Sequence, residues 1–301
     1  MPKSRKPNDS NPPLNPAALR AMMERTLGSL GPNRRNDEQR AQELVYDAME
    51  APTAERCLRL VQQALELDSE NVDALLMMAD AADFKGDERM EVLRGIVAAG
   101  AKRLGKMAFQ ELVPHFWGFH ETRPYMRARL RLSEELRTAG RLEEAIQEYD
   151  EMLALNENDN QGVRYHLLTS LLVLGRLEAA QALMKRYRDE CEWSVVFAWG
   201  GVLERLLSGN AAAATKALAA ARKQNAHMEV YLKGHHKLPK SLPGSYSPGS
   251  KEEALCFAEP LLMAWTRHPD AQAWLSRQSM SSMKSMDGMD GMDKMDGRGE
   301  K

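Results

Sequence analysis

The chain has 301 residues, 43% of them hydrophobic, with 41 basic against 43 acidic side chains and a formal net charge of -2. That apolar content supports a sizeable buried core, and the near balance of charge gives no global pull toward nucleic acid or an anionic membrane. No window approaches the roughly 18 apolar residues that a spanning helix needs, and the polar start lacks the apolar stretch of a secretory signal, so the expected location is the cytoplasm.

Residues 1–36 carry six prolines and many asparagines without sustained periodicity, which predicts a disordered arm. Within it, residues 17–30 suit one short helix that Gly28, Gly31 and Pro32 end. From Asp37 to Leu275 the apolar positions recur at helical spacing, broken by short punctuation. In this stretch AERCLRLVQQALELDSEN closes one helix with Ala64, Leu67 and Asp68, and NVDALLMMADAADFKGD opens the next. Asp73, Asp80 and Asp83 then share one side of a helix, read as its wet side, with an acidic recognition stripe as the alternative.

Between Leu104 and Arg123 the pattern fails at Pro114, Gly118 and a dense aromatic cluster. Proline inside a helix forfeits a backbone hydrogen bond, so the expectation is an irregular turn followed by a fresh helix with Thr122 as cap and Pro124 in its first turn. His115 and His120 lie five apart, poor spacing for one helical face, and a packed aromatic turn is favoured over metal ligation.

Periodicity is clearest at Leu142, Ala145, Ile146, Tyr149, Met152 and Leu153, which fall on one stripe. Gly140–Arg141 separates this helix from an amphipathic segment over Arg123 to Ala139. The same punctuation returns at Gly175–Arg176 and Gly209–Asn210, 35 and 34 residues along, with Gly86–Asp87 upstream. A period of about 34 is that of stacked helix pairs, each covering the outer stripe of its neighbour.

The segment RLSEELRTAGRLEEAIQEYDEMLALNENDNQ resembles the tetratricopeptide repeat family: Ala145 is the small residue early in the second helix, Tyr149 the aromatic, and Leu153–Asn156 the exit, with Glu157 where a closing proline is usual. Two further units follow in register through Gly175, Ala180 and Met184, then Gly209, Ala214, Leu218 and Ala221. The forms ETRPYMR, NDNQGVR and YSPGSKEEA are similar to a set of bacterial tetratricopeptide proteins and, more faintly, to the suppressor-of-tumorigenicity family, over residues 115–275.

The resemblance implies an all-α, right-handed solenoid of antiparallel helix pairs, about five units with one irregular insertion. It also implies a protein–protein scaffold whose concave groove takes a partner helix or extended peptide. The groove positions carried over are Arg127, Leu130, Glu134 and Arg137, then Tyr165, Thr169 and Leu172, then Trp199, Leu203 and Leu206. Leu130, Glu134, Tyr165 and Thr169 replace the polar pattern of the carboxylate-clamp subclass, which argues against a chaperone C-terminus as partner.

Residues 234–250, GHHKLPKSLPGSYSPGS, read as a long loop over the last unit, and Ser250 with Glu253 as a capping box opening the final helix. In the low-complexity tail, residues 276–301, Met280, Met283, Met286, Met289, Met292 and Met295 recur every third residue, followed from the third of them by Asp287, Asp290, Asp293 and Asp296. Spaced thioethers are soft ligands, so copper handling is the alternative function, weighed against a repeat with no ligand.

Phosphate loops, dinucleotide fingerprints, zinc-protease helices and nucleophile elbows are absent from the sequence. The expectation is no enzyme, no cofactor and no built metal site. A weaker alternative gathers His115, Trp117, His120 and His235–His236 into an unrecognised active site. Cys57, Cys191 and Cys256, odd in number and far apart, are expected as buried inert thiols.

Overall fold

The structure, a computed structural model, describes residues 34–278. Residues 1–33, most of the predicted arm with its 17–30 helix, and the methionine repeat lie outside the described residues; residues 34–36, read as arm, instead begin the first helix, and Ser276 and Arg277, read as tail, end the last. Within them the chain is all-helical, with no strand. The helices are α1 (Arg34–Met49), α2 (Ala54–Leu67), α3 (Val72–Ala81), α4 (Gly86–Glu111), α5 (Arg123–Thr138), α6 (Leu142–Leu155) and α7 (Val163–Val173). After these come α8 (Leu177–Arg186), α9 (Glu190–Trp193), α10 (Val195–Leu207), α11 (Ala211–Asn225), α12 (Met228–Leu232), α13 (Lys251–Arg267) and α14 (Pro269–Arg277). The chain forms two compact units that meet at Ser170–Leu171, inside α7.

The punctuating glycines do the work their spacing suggested. Gly140, Gly175 and Gly209 have φ of 77°, 66° and 77°, a region that costs any residue with a Cβ. At each, two backbone bonds close the preceding helix: Gly140 N donates to Arg137 O and Arg141 N to Leu136 O, and the same pair recurs from Gly175 and Arg176 and from Gly209 and Asn210. This is the Schellman closure, which satisfies carbonyls that the helix leaves free. A fourth copy, Gly234 N to Tyr231 O and His235 N to Val230 O, ends α12. Gly86 differs, because it starts α4 rather than ending a helix.

A second local motif also repeats. Asp68 ends α2 with its N–H on Ala64 O, and Asn156 ends α6 with its N–H on Met152 O, at nearly equal backbone angles. Asn71 then caps α3 through Ala74 N, and the Asp159 carboxylate receives Val163 N and Arg164 N at the start of α7.

The first unit holds α1 to α6 and most of α7. All six stripe residues of α6 are buried, and partners across α5 and α6 are nested about Gly140: Tyr149 Oη donates to Ser133 O, and Arg129 reaches Glu148 and Glu151. The irregular insertion sits where the pattern failed. α4 is interrupted at Gly105 (φ 69°, ψ 169°), and two 3-10 turns, Phe116–Gly118 and His120–Thr122, lead into α5. Phe116 is fully buried against Phe109 and Tyr125. Pro124 stands in the first turn of α5, but Thr122 does not cap it; its hydroxyl donates to Phe116 O and Phe119 O instead.

In the second unit α10 is the central helix, with Val195, Val196, Phe197, Trp199, Val202 and Leu203 all buried. Gly201 lets α8 approach it, since a Cβ there would stand 2.9 Å from the Met184 methyl. The loop over 234–250 lies on α13, Tyr246 against Phe257 at 5.5 Å and Cys256 Sγ 3.9 Å from Pro243 O. The Ser250 cap forms as read, with Glu253 N donating to Ser250 Oγ, while the Glu253 carboxylate takes Gly249 N rather than the Ser250 N–H of a full capping box, which goes to Ser247 O.

The thiols do not follow expectation. Cys191 is exposed because α9 is a single turn with no buried residue, and Cys57 and Cys256, on α2 and α13, are half-buried. Burial nonetheless pushes the Cys191 thiol up, against a lowering by Arg205.

Replacing Gly140, Gly175 or Gly209 by Ala is expected to cost about 1–2 kcal/mol each through left-handed strain alone, since no atom lies within 4 Å of the added Cβ. Gly95→Ala, in open space within α4 and without positive φ, is expected to stabilise by about 0.5–1 kcal/mol. Urea midpoints of the four variants check both signs.

Candidate binding surface

The resemblance places a groove on the first helix of each pair, and in the first unit that helix is α5. Its sequence RPYMRARLRLSEELRT alternates large apolar residues with five arginines. Tyr125, Met126, Ala128, Leu132 and Leu136 form the buried face, and the arginines spread to either side of it.

Most of these arginines are committed within the unit. Arg127 forms a two-pronged pair with Asp73, Nε to Oδ1 at 2.8 Å and Nη2 to Oδ2 at 2.5 Å, and Asp73 is 1% exposed. Arg129, itself buried, is held by Glu148 and Glu151 on α6 and lies over the Tyr125 ring. Arg131 meets Asp80 and Glu134, and Asp80 also takes Arg89, which joins Glu135. Arg123 donates to Trp117 O and stacks on that ring.

This corrects two readings. The acidic side of α3 is wet only in part: Asp80 is exposed though paired with Arg89 and Arg131, and exposed Asp83 lies beyond the helix end and pairs with exposed Lys85, but Asp73 is buried. The basic surface that an acidic stripe selects is the chain's own α5. Arg127 for its part is not free for a partner carboxylate, because releasing it strands a buried Asp73 charge.

Burial removes four more groove candidates. Trp199 and Leu203 are fully buried, Trp199 donating through Nε1 to Asn225 O, and Leu172 and Thr169 are buried on α7. Large apolar groups on the first helix of a pair here fill the core rather than a groove. Half-buried positions remain at Leu130, Glu134 and Arg137 on α5, Tyr165 on α7 and Leu206 on α10. Gln161 Nε2 donates to Met126 O, tying the approach to α7 to α5, and Arg164 stacks on Tyr165 at 4.8 Å.

Electrostatics at this surface is set by burial. Burial raises the Glu134 carboxyl, against the lowering pull of Arg131 and Arg137. Behind it, burial pushes the Tyr149 phenol up to about 12, against the lowering effect of Arg137 and the bond to Ser133. The two histidines of the insertion do not converge on a ligand set. His115 is exposed, 3.8 Å from Glu157, and among the described residues no group of three His, Cys, Asp or Glu side chains has the arrangement of a metal site. A cleft lined by Gln42, Asn71, Gly100, Arg103, Glu121 and Tyr125 measures about 40 Å³, room for about three waters.

No family model matches the chain, and no curated protein or solved structure shows significant similarity to it. No helix among the described residues is long and apolar enough to cross a membrane.

Arg127→Ala is expected to cost about 3–5 kcal/mol by leaving Asp73 unpaired. Arg127→Met combined with Asp73→Leu, which removes both charges, is expected to recover most of that loss in urea unfolding of the full chain.

Ionising Tyr149 is easier in the unfolded chain, where a phenol titrates near 10, than in the native one at about 12. Its contribution to stability is therefore whole below pH 10 and is lost as pH rises from 10 to 12, at about 1.4 kcal/mol per pH unit. Tyr149→Phe is expected to flatten that alkaline decline; a slope equal to wild type removes Tyr149 as its source.

Proposed function

We propose that the protein is a helical scaffold of tetratricopeptide type, without catalytic activity, that holds a protein partner against the first-helix face of its pairs. The observation carrying this reading is the recurrence of one Schellman turn at Gly140, Gly175 and Gly209 at intervals of 35 and 34 residues, which is the tetratricopeptide interval. Contact order along the helices supports it. Pairs between α5 and α6 run in opposite directions about Gly140, as in an antiparallel pair. Between α3 and α5 they run in the same direction, Asp73 to Arg127 and then Asp80 to Arg131, as for first helices of consecutive units.

The partner surface in this reading is smaller than the one carried over from the family. In this reading Leu130, Glu134 and Arg137 line it on α5 and Tyr165 on α7, with Gln161, just before α7, donating to Met126 O on α5. Such a strip offers an apolar and aromatic anchor, flanked by one carboxylate and one guanidinium. It suits a short amphipathic helix or extended segment with an apolar centre.

Photo-crosslinking amino acids at Leu130 and Tyr165, expressed in the native cell, are expected to capture one common protein. The same probe at Arg59, on the exposed side of α2, is expected to capture none. A groove is ruled out if Leu130 and Tyr165 yield no shared adduct, or if Arg59 yields the same one.

A further inference from the structure

Residues 234–250 form a stretch of surface whose basic charge is not answered internally among the described residues. Between Lys233 and Lys251 the chain has Lys237, Lys240, His235 and His236 and no acidic residue. Apart from half-buried Leu238, Pro243, Gly249 and Ser250, residues 234–250 are exposed, and they include two large apolar side chains, Leu242 at 55% and Tyr246 at 48%. Neither Lys237 nor Lys240 has an ion pair among the described residues, in contrast to the arginines of α5. The loop is nonetheless held in place, by Tyr246 on Phe257, His236 edge-on to Tyr231, and Asn225 Nδ2 on Ser250 O. It is a fixed, cationic surface with an apolar element.

The described part of the chain ends against the base of this loop. Lys233 is nearly buried between Glu229, at 2.7 Å, and the backbone oxygen of Gln278, at 3.4 Å. Gln272 Nε2 donates to Leu232 O at 2.7 Å, fixing α14 to the same turn. The chain therefore leaves Gln278 one residue from where the basic loop begins. Beyond it, residues 285–296 hold four aspartates, Asp287, Asp290, Asp293 and Asp296, alternating with methionines and one lysine, Lys294, while Lys284, Arg298, Glu300 and Lys301 flank that stretch. The nine residues from Gln278 to Asp287 span at most about 30 Å.

We infer that residues 285–296 of this chain dock on its own 234–250 loop, aspartates on Lys237 and Lys240, methionines on Leu242 and Tyr246. The composition fits both halves of that surface. Carboxylates spaced by three meet two lysines spaced by three, and methionine, unbranched and polarisable, covers irregular apolar and aromatic surface. Tethering at Gln278 makes the encounter intramolecular, so weak charge pairs suffice for occupancy.

Zero-length carbodiimide coupling of the full chain, followed by peptide mapping, tests this. At about 0.05 M salt, links are expected from Asp287, Asp290 or Asp293 to Lys237 or Lys240 within the monomer. They should fall about fivefold or more at about 0.5 M salt. Lys237→Glu with Lys240→Glu is expected to abolish them, and adding Asp287→Lys and Asp290→Lys to that variant to restore links of reversed polarity. Circular dichroism of these variants should match wild type, because every substituted loop residue is exposed. Tail links that reach Lys185, Lys216 or Lys223 as often as Lys237 and Lys240 overturn the proposal, and so do links confined to a dimer.

Discussion

Asp73 is a carboxylate at 1% exposure near the start of a ten-residue helix, and the arrangement of the first unit follows from the need to answer that charge. An ion removed from water without a partner is expensive by several kcal/mol. The answer comes from Arg127, 54 residues away on α5, with both carboxylate oxygens engaged. Such a pair adds little net stability compared with apolar groups of the same size. What it supplies is register: α5 can slide along α3 by one turn only by abandoning Asp73.

The same device recurs around α5. Arg131 on Asp80 fixes its middle against α3, Arg129 between Glu148 and Glu151 fixes it against α6, and Arg123 on Trp117 fixes its start against the insertion. Leu132 and Leu136 pack on any neighbour of suitable shape, whereas planar guanidinium forks accept only matching carboxylates. Apolar burial holds the unit together, and the arginines select which face meets which helix. A helix so engaged has little charge left for a partner, which is why the surface left on it is the modest strip from Leu130 to Arg137.

Much of the local structure was legible in the sequence. Gly140, Gly175 and Gly209 mark helix ends because a left-handed residue is needed there and glycine occupies it at least cost. The α6 stripe and the Ser250 cap follow from helical periodicity and capping chemistry within a few residues. What resisted reading was pairing across long sequence separation. Asp73 looks identical, in sequence, to an exposed acid on an amphipathic helix, and nothing near it names Arg127. Thr122 looks like a cap, yet the carbonyls of Phe116 and Phe119 lie closer to its hydroxyl. Trp199 and Leu203 stand where the tetratricopeptide resemblance would put a groove, but whether they face a groove or a core depends on α11, whose alanine-rich sequence lets Asn225 come close enough to receive the indole N–H.

At Gly100 on α4, a hydrogen stands where a methyl group would meet the Tyr125 ring at 3.2 Å and Val72 at 3.4 Å. The Tyr125 ring in turn carries the Arg129 guanidinium on its face and its hydroxyl lies 3.4 Å from Nη1. A displacement of a few tenths of an ångström at Gly100 therefore reaches Glu148 and Glu151 on α6, through an aromatic lever rather than through any backbone hinge. Three consecutive helices are geared to one another by the absence of a single carbon atom.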